Sequence, residues 1–196
     1  MTSTRKARCG HLSSVGSLLL RGRTVKPLHG SPAAARVMPK MTFLAPEEYQ
    51  PKCRNRFVAL ARRLSTMLPH ARIEHIGASS IDGAISKGDL DIFVGVKADN
   101  HQQTVELLAA VGYTVKLDTH RDESLCMLEH ADNDVALQVV ANGSQYEYFI
   151  TFRDALNRDP NLVSQYNALK NRHQGAYAAT YRLAKSKFIQ GVLLQV

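Results

Sequence analysis

Apolar residues recur at helical spacing between Glu47 and Leu68, where Tyr49, Cys53, Phe57, Leu60, Ala61, Leu64 and Met67 form one stripe. Arg54, Arg56, Arg62 and Arg63 stand off that stripe, which predicts an amphipathic helix packed on a core. Pro51 is tolerated if it falls in the first turn, and Pro69 helps to end the helix. The period then switches to two. Arg72–Ile76 alternates as a short strand and Leu90–Val96 reads as a second, separated by a loop over 77–88 that holds glycines, serines and Asp82. A helix over Asp99–Val111 follows, with Asp99 or Asn100 as its cap. Tyr113–Leu117, Ser124–Glu129 and Val135–Val140 read as three further strands, and the short polar segment 131–134 makes the last two a hairpin. From Ser144 to Val196 the pattern is mostly helical, broken near Asp159–Pro160 and Gly175. The fold class predicted is mixed α/β (α+β), a small sheet covered by helices and followed by a helical C-terminal part.

Residues 1–40 carry neither period and are rich in Ser, Arg, Gly and Ala. They are expected to be a disordered basic extension, with a single domain over 41–196, and deleting them is expected to leave the melting temperature unchanged. The net charge of +8 divides unevenly: eight basic and no acidic residues stand before Glu47, against 17 of each from there on. The folded part therefore carries no strong nucleic-acid signal. No apolar run is long enough to span a membrane. Three distant cysteines, without a CxxC pair, fit a reducing compartment, the cytoplasm. An Arg-rich, Ser-rich, acid-free start also has the composition of a mitochondrial transit peptide, which leaves that location as the alternative.

Candidate chemistry concentrates between His75 and Val96. A strand delivers a loop in which Gly77 allows close backbone approach, while Ser79 and Ser80 offer hydroxyls and amides to phosphate oxygens. Ten residues separate Ala78 from Asp89, which opens an Asp-x-Asp pair with Asp91. At i and i+2 on a strand both carboxylates point to one face, about 7 Å apart, a ready site for Mg²⁺ beside substrate phosphates. Singly, each feature is better explained by an ordinary turn or a solvated strand edge; their joint order is the signal. Alternation puts Glu74 and Ile76 on one face and His75 on the other, where His75 is either a substrate contact or a satisfied structural histidine. Cys126 reads as a buried strand residue, and Tyr146, Tyr148, Phe149 and Phe152 as helix packing.

This order resembles the signature of the nucleotidyltransferase superfamily, a Gly-Ser loop followed by an Asp-x-Asp strand. Two longer blocks are similar to one family, GrpB. Glu74-His-Ile-Gly-Ala-Ser-Ser-Ile-Asp-Gly83 with Ser86-Lys87 and Asp91-Ile92 resembles its EHIGSTSVPG…AKPxxDI motif. Phe152-Arg153-Asp154, Leu156, Pro160, Tyr166, Leu169-Lys170, Tyr181, Lys185 and Phe188 resemble its helical half. The resemblance implies a nucleotidyltransferase-like domain and Mg²⁺-dependent nucleotidyl or phosphoryl transfer from a nucleoside triphosphate to an unknown acceptor. Asp89 and Asp91 would be catalytic and hold the metal, with Gly77, Ser79, Ser80, Lys87 and Arg153 on the nucleotide. Arg153 and Lys170 are otherwise helix-surface ion pairs. Ala78, Asp82, Gly88 and Asp89 depart from the motif, and Ala136-Leu137-Gln138 stands where the family has His-Leu-His. Such enzymes usually place a third carboxylate on that last strand, and only Asp134 or Glu129 is at hand. The alternative is a catalytically silent nucleotide-binding or interaction module of the same fold.

Overall fold

The computed structural model describes residues 40–130 and 133–196. The extension expected over 1–40 lies outside the described residues except for Lys40. Helix α1, Pro46–Met67, is followed by strands β1, Arg72–Ile76, and β2, Leu90–Val96. Then come α2, His101–Ala110, β3, Tyr113–Val115, β4, Leu125–His130, and β5, Asn133–Ala141. Three helices close the chain: α3, Tyr148–Arg158, α4, Pro160–Arg172, and α5, Ala178–Leu193. Among the described residues the strands form one mixed five-stranded sheet in the order β1-β2-β5-β4-β3, in which only β2 and β5 run parallel. The expected α+β architecture and the β4–β5 hairpin are both present.

Helices lie on both faces of the sheet. On one, Tyr49, Cys53 and Leu64 of α1 and Val105 and Leu108 of α2 pack against Leu90, Ile92, Val94 and Val96 of β2 and Leu137 and Val139 of β5. On the other, Phe93 and Val140 meet Ile76 and the start of the helical half at Tyr146 and Ile150. The parallel pairing aligns Asp91 with Ala136 and Phe93 with Gln138. The face that bears Asp91 thus looks toward α3–α5, not toward α1.

Several local expectations are corrected. Helix α1 begins at Pro46, so Pro51 lies inside it and not in its first turn. The missing N–H leaves an acceptor at Glu47, whose exposure lets water satisfy it. Capping comes from Glu48, whose Oε2 accepts the Ala45 N–H at 2.6 Å. Helix α2 starts at His101 after a 3₁₀ turn, and neither Asp99 nor Asn100 caps it through a side chain. Instead the Thr104 hydroxyl donates back to the Asn100 carbonyl. Strand β3 stops at Val115. The break before α4 is as expected: Pro160 is its first residue, and the Asp159 carboxylate accepts the Asn161 N–H at 2.8 Å. Among the described residues no helix is long and apolar enough to cross a membrane.

Candidate functional site

The 77–89 loop is held far more firmly than its glycines and serines suggest. Ile81 and Ala84 are buried plugs that pack among Phe152, Leu156 and Tyr166 of the helical half. Its backbone is gripped from both sides. From α1, the Tyr49 hydroxyl donates to the Ala84 carbonyl at 2.6 Å and Gln50 Nε2 to that of Ile81 at 2.7 Å. From α3, Asn157 accepts the Asp82 N–H and donates to the Ser80 carbonyl. From α4, Asn167 does the same with the Ile85 N–H and the Gly83 carbonyl. Lys170, 1% exposed, donates from Nζ to the Ile85 carbonyl and lies 3.7 Å from the Tyr166 ring centroid. Burial, then repulsion from Lys185, pushes the Lys170 amine down to about 6. A buried amine of this kind fastens the loop; it is not the surface ion pair that sequence alone allowed.

The turn at Gly77 brings the loop onto the carboxylates. Gly77 has φ of +74°, and a Cβ there would fall 2.2 Å from Asp91 Oδ2, so only glycine fits. Asp91 Oδ1 accepts from Gln138 Nε2 at 3.1 Å. Burial first, and then the neighbouring Asp89, pushes Asp91 up to about 6. Burial acts on Asp89 in the same sense, but Lys87 and Lys185 outweigh it and hold that carboxyl below the usual range. Lys87 Nζ lies 3.0 Å from Asp89 Oδ2, and the Ser86 hydroxyl donates to Oδ1 at 3.3 Å. The pair therefore joins one readily ionised carboxylate to one that ionises reluctantly.

The remaining expected residues have varied settings. Ser79 is fully buried, with Oγ 2.9 Å from His75 Nε2, and the Ser80 hydroxyl donates to the Gly77 carbonyl at 2.8 Å. His75 stacks on Phe57 of α1 at 4.8 Å, on the face away from Asp91. Burial, then the Arg153 and Arg54 charges, push it down to about 4, and its bond to Ser79 and stacking on Phe57 give it a structural role. Arg153 Nη1 donates at 2.8 Å both to Glu74 Oε2 and to the His75 carbonyl, while Nε bonds Asp154. Its guanidinium joins α3 to the edge strand.

No third carboxylate joins the pair. Glu129 is bonded to Lys116, Asp134 is exposed, and among the described residues no three His, Cys, Asp or Glu side chains could hold a metal together. Gln138 occupies that place, 2% exposed, with Oε1 lacking any partner. Across from the carboxylates, half-buried Lys185 of α5 lines a cleft of about 390 Å³ with Tyr148, Arg182, Ser186 and Gln190. Its charge acts on both Asp89 and Asp91. Lys185 stands in the helical motif, but no local pattern marks it as a site residue. A wider cleft of about 510 Å³ at Asp122 and Tyr146 lies at the other end of β5 and touches none of these groups.

A family model described as GrpB protein matches residues 45–195. The chain belongs to the GrpB family. It is 48% identical over 156 residues to a UPF0157 protein of Vibrio cholerae, covering 79% of this chain and 83% of that one. A UPF0157 protein of Deinococcus radiodurans is 30% identical over 134 residues, covering 67% and 70%. Among solved structures, GrpB from Enterococcus faecalis superposes with a TM-score of 0.57 at 17% identity, over 76% of this chain and 98% of that one, which shows a shared GrpB fold. The Cid1 poly(U) polymerase, crystallised as a mutant bound to MgATP, reaches 0.46 at 16% identity over 65% and 42%, too distant to carry a functional inference.

Proposed function

We propose that this GrpB protein binds a nucleoside triphosphate with Mg²⁺ between the Gly77 turn and α5, and transfers its nucleotidyl group to an acceptor. The observation that carries this reading is the pairing of Asp89 and Asp91 against the Gly77 backbone, within reach of the Lys185 charge. Hard divalent cations take carboxylate oxygens together with substrate phosphates, which the two carboxylates beside a small-residue loop would supply. Asp89 and Asp91 would hold Mg²⁺, which when bound offsets phosphate charge and polarises the phosphorus under attack. Gly77 lets the turn close onto Asp91, with Ser80 beside it, so that the loop and the carboxylates would meet a phosphate together. Lys87 and Lys185 flank the carboxylates and balance the triphosphate. Ser79 and Arg153 support the turn from behind, through His75 and Glu74. An acceptor hydroxyl attacks the α-phosphorus, the bond to the bridging oxygen breaks, pyrophosphate leaves, and the hydroxyl proton passes to water. Free Cys53 and Cys126 suit the cytoplasm, or the mitochondrial matrix if residues 1–40 are a transit peptide.

A second reading has its own observation. Gln138 in place of a third carboxylate favours a site that binds nucleotide and does not transfer it. Thermal shift with MgATP tests binding: at about 100-fold excess over Kd a ligand adds about 2.7 kcal/mol, roughly 5–10 °C for a domain of this size. Asp91→Asn should abolish that shift, and equal shifts in both proteins would remove the nucleotide site. Label from an α-phosphate appearing on an acceptor pool supports transfer. Intact binding without label supports the second reading.

A further inference from the structure

The charge balance of residues 47–196 conceals a local imbalance. Beyond its first turn, α1 carries Lys52, Arg54, Arg56, Arg62 and Arg63 and no carboxylate. Arg54 is bonded to Asp82, but among the described residues neither Arg56 nor Arg63 lies within ion-pair distance of an acidic group. Both line one groove of about 320 Å³, which also includes the buried Leu64 and Val135 and the more exposed Val111, Tyr113 and His130. Tyr113 and His130 meet edge to face, 5.3 Å between ring centroids, and Val111 is 50% exposed.

The spacing indicates what fits. Arg56 and Arg63 are two helical turns apart, about 10 Å along one face of α1, a spacing that suits successive phosphates of one chain. An apolar floor flanked by aromatic rings suits unpaired base faces; a duplex would keep its bases stacked inside and leave that floor bare. One turn before Arg56, the Cys53 thiol lies 3.5 Å from the Gly88 carbonyl and 4.0 Å from that of Asp89. The groove lies on the α1 face of the sheet, opposite to Asp91 but at the same end, since Val135 in its lining pairs with Leu90. We infer that the α1 groove binds single-stranded nucleic acid, with phosphates on Arg56 and Arg63 and bases over Tyr113 and Val111. Resting on the nucleotidyl-transfer reading, this makes an oligonucleotide end the acceptor.

Fluorescence anisotropy with a labelled oligouridylate of about 12 nucleotides, across roughly 50–300 mM salt, tests this on the full chain. The double variant Arg56→Gln/Arg63→Gln should bind at least about tenfold more weakly. Its log–log salt slope should fall by about 1.4, the value for two phosphate contacts on a single strand. Arg158→Gln/Arg172→Gln, two exposed arginines on α3 and α4, removes the same charge elsewhere and should leave both quantities unchanged. The basic residues before Glu47 are common to all three proteins and cancel. Equal losses in both double variants, or none in the first, overturn the groove. So does competition by polyglutamate as effective as by unlabelled oligonucleotide, which would indicate an acidic protein partner. MgATP thermal shift on the same proteins reads the nucleotide site separately. Arg56- and Arg63-dependent oligonucleotide binding without any MgATP shift would leave the groove standing and remove the transfer reading.

Discussion

Strand β2 presents two faces that differ by a shift of one residue. Leu90, Ile92, Val94 and Val96 point toward α1 and α2 and are buried to 5% exposure or less. Asp91 points the other way, with Phe93, into a layer where Gln138, Lys170 and Lys185 are also found. The first face is stabilised by apolar area removed from water. The second is stabilised by hydrogen bonds that grip a loop backbone, and it keeps one buried acceptor, Gln138 Oε1, unsatisfied. Period-two alternation is enough to set a core and a chemically active surface on one strand. The difference teaches that stability and chemistry are separable here at single-residue resolution.

Truncation of the core face should have the largest effect. Ile92→Ala deletes a fully buried side chain and should cost about 2–5 kcal/mol in denaturant unfolding. Asp91→Asn, one residue away, should leave stability at pH 7 within about 1 kcal/mol of wild type, because it removes a carboxylate whose ionisation burial disfavours. A loss as large as that of Ile92→Ala would erase the contrast between the faces. Gly77→Ala tests the junction of the two. It forces a side chain into a left-handed conformation and a Cβ onto Asp91, which should cost about 2–3 kcal/mol and displace the turn. An unchanged midpoint would mean that the turn is looser than its geometry.

A further effect is one of slope. Lys170 titrates near 6 in the fold and near 10.5 when unfolded, so between those values the unfolded state binds more protons. Its contribution must therefore rise with pH across that window and be lost as pH falls toward 6. Lys170→Met should flatten the rise, and urea midpoints at pH 6.5, 8 and 9.5 would show it. Parallel curves for the two proteins would mean that the amine is hydrated and not clamped on Ile85.

The sequence by itself determined what depends on near neighbours. The α1 stripe from Tyr49 to Met67 and the Asp159–Pro160 break follow from period and capping, which act over a few residues. The family motif went further and marked Lys170 and Lys185 without saying what they do. Tertiary structure alone decided the rest, because the decisive contacts join distant segments. Lys170 meets Ile85 across 85 positions, Arg153 meets Glu74 across 79, and Gln138 meets Asp91 across 47. No local pattern reports that an arginine reads as a ligand contact yet fastens an edge strand, or that a lysine has lost its solvent. Likewise the cations of α1 look like an ordinary solvated face in sequence. Only the packing of α1 beside Tyr113 and His130, together with the absence of nearby carboxylates among the described residues, turns two of them into the rim of a groove.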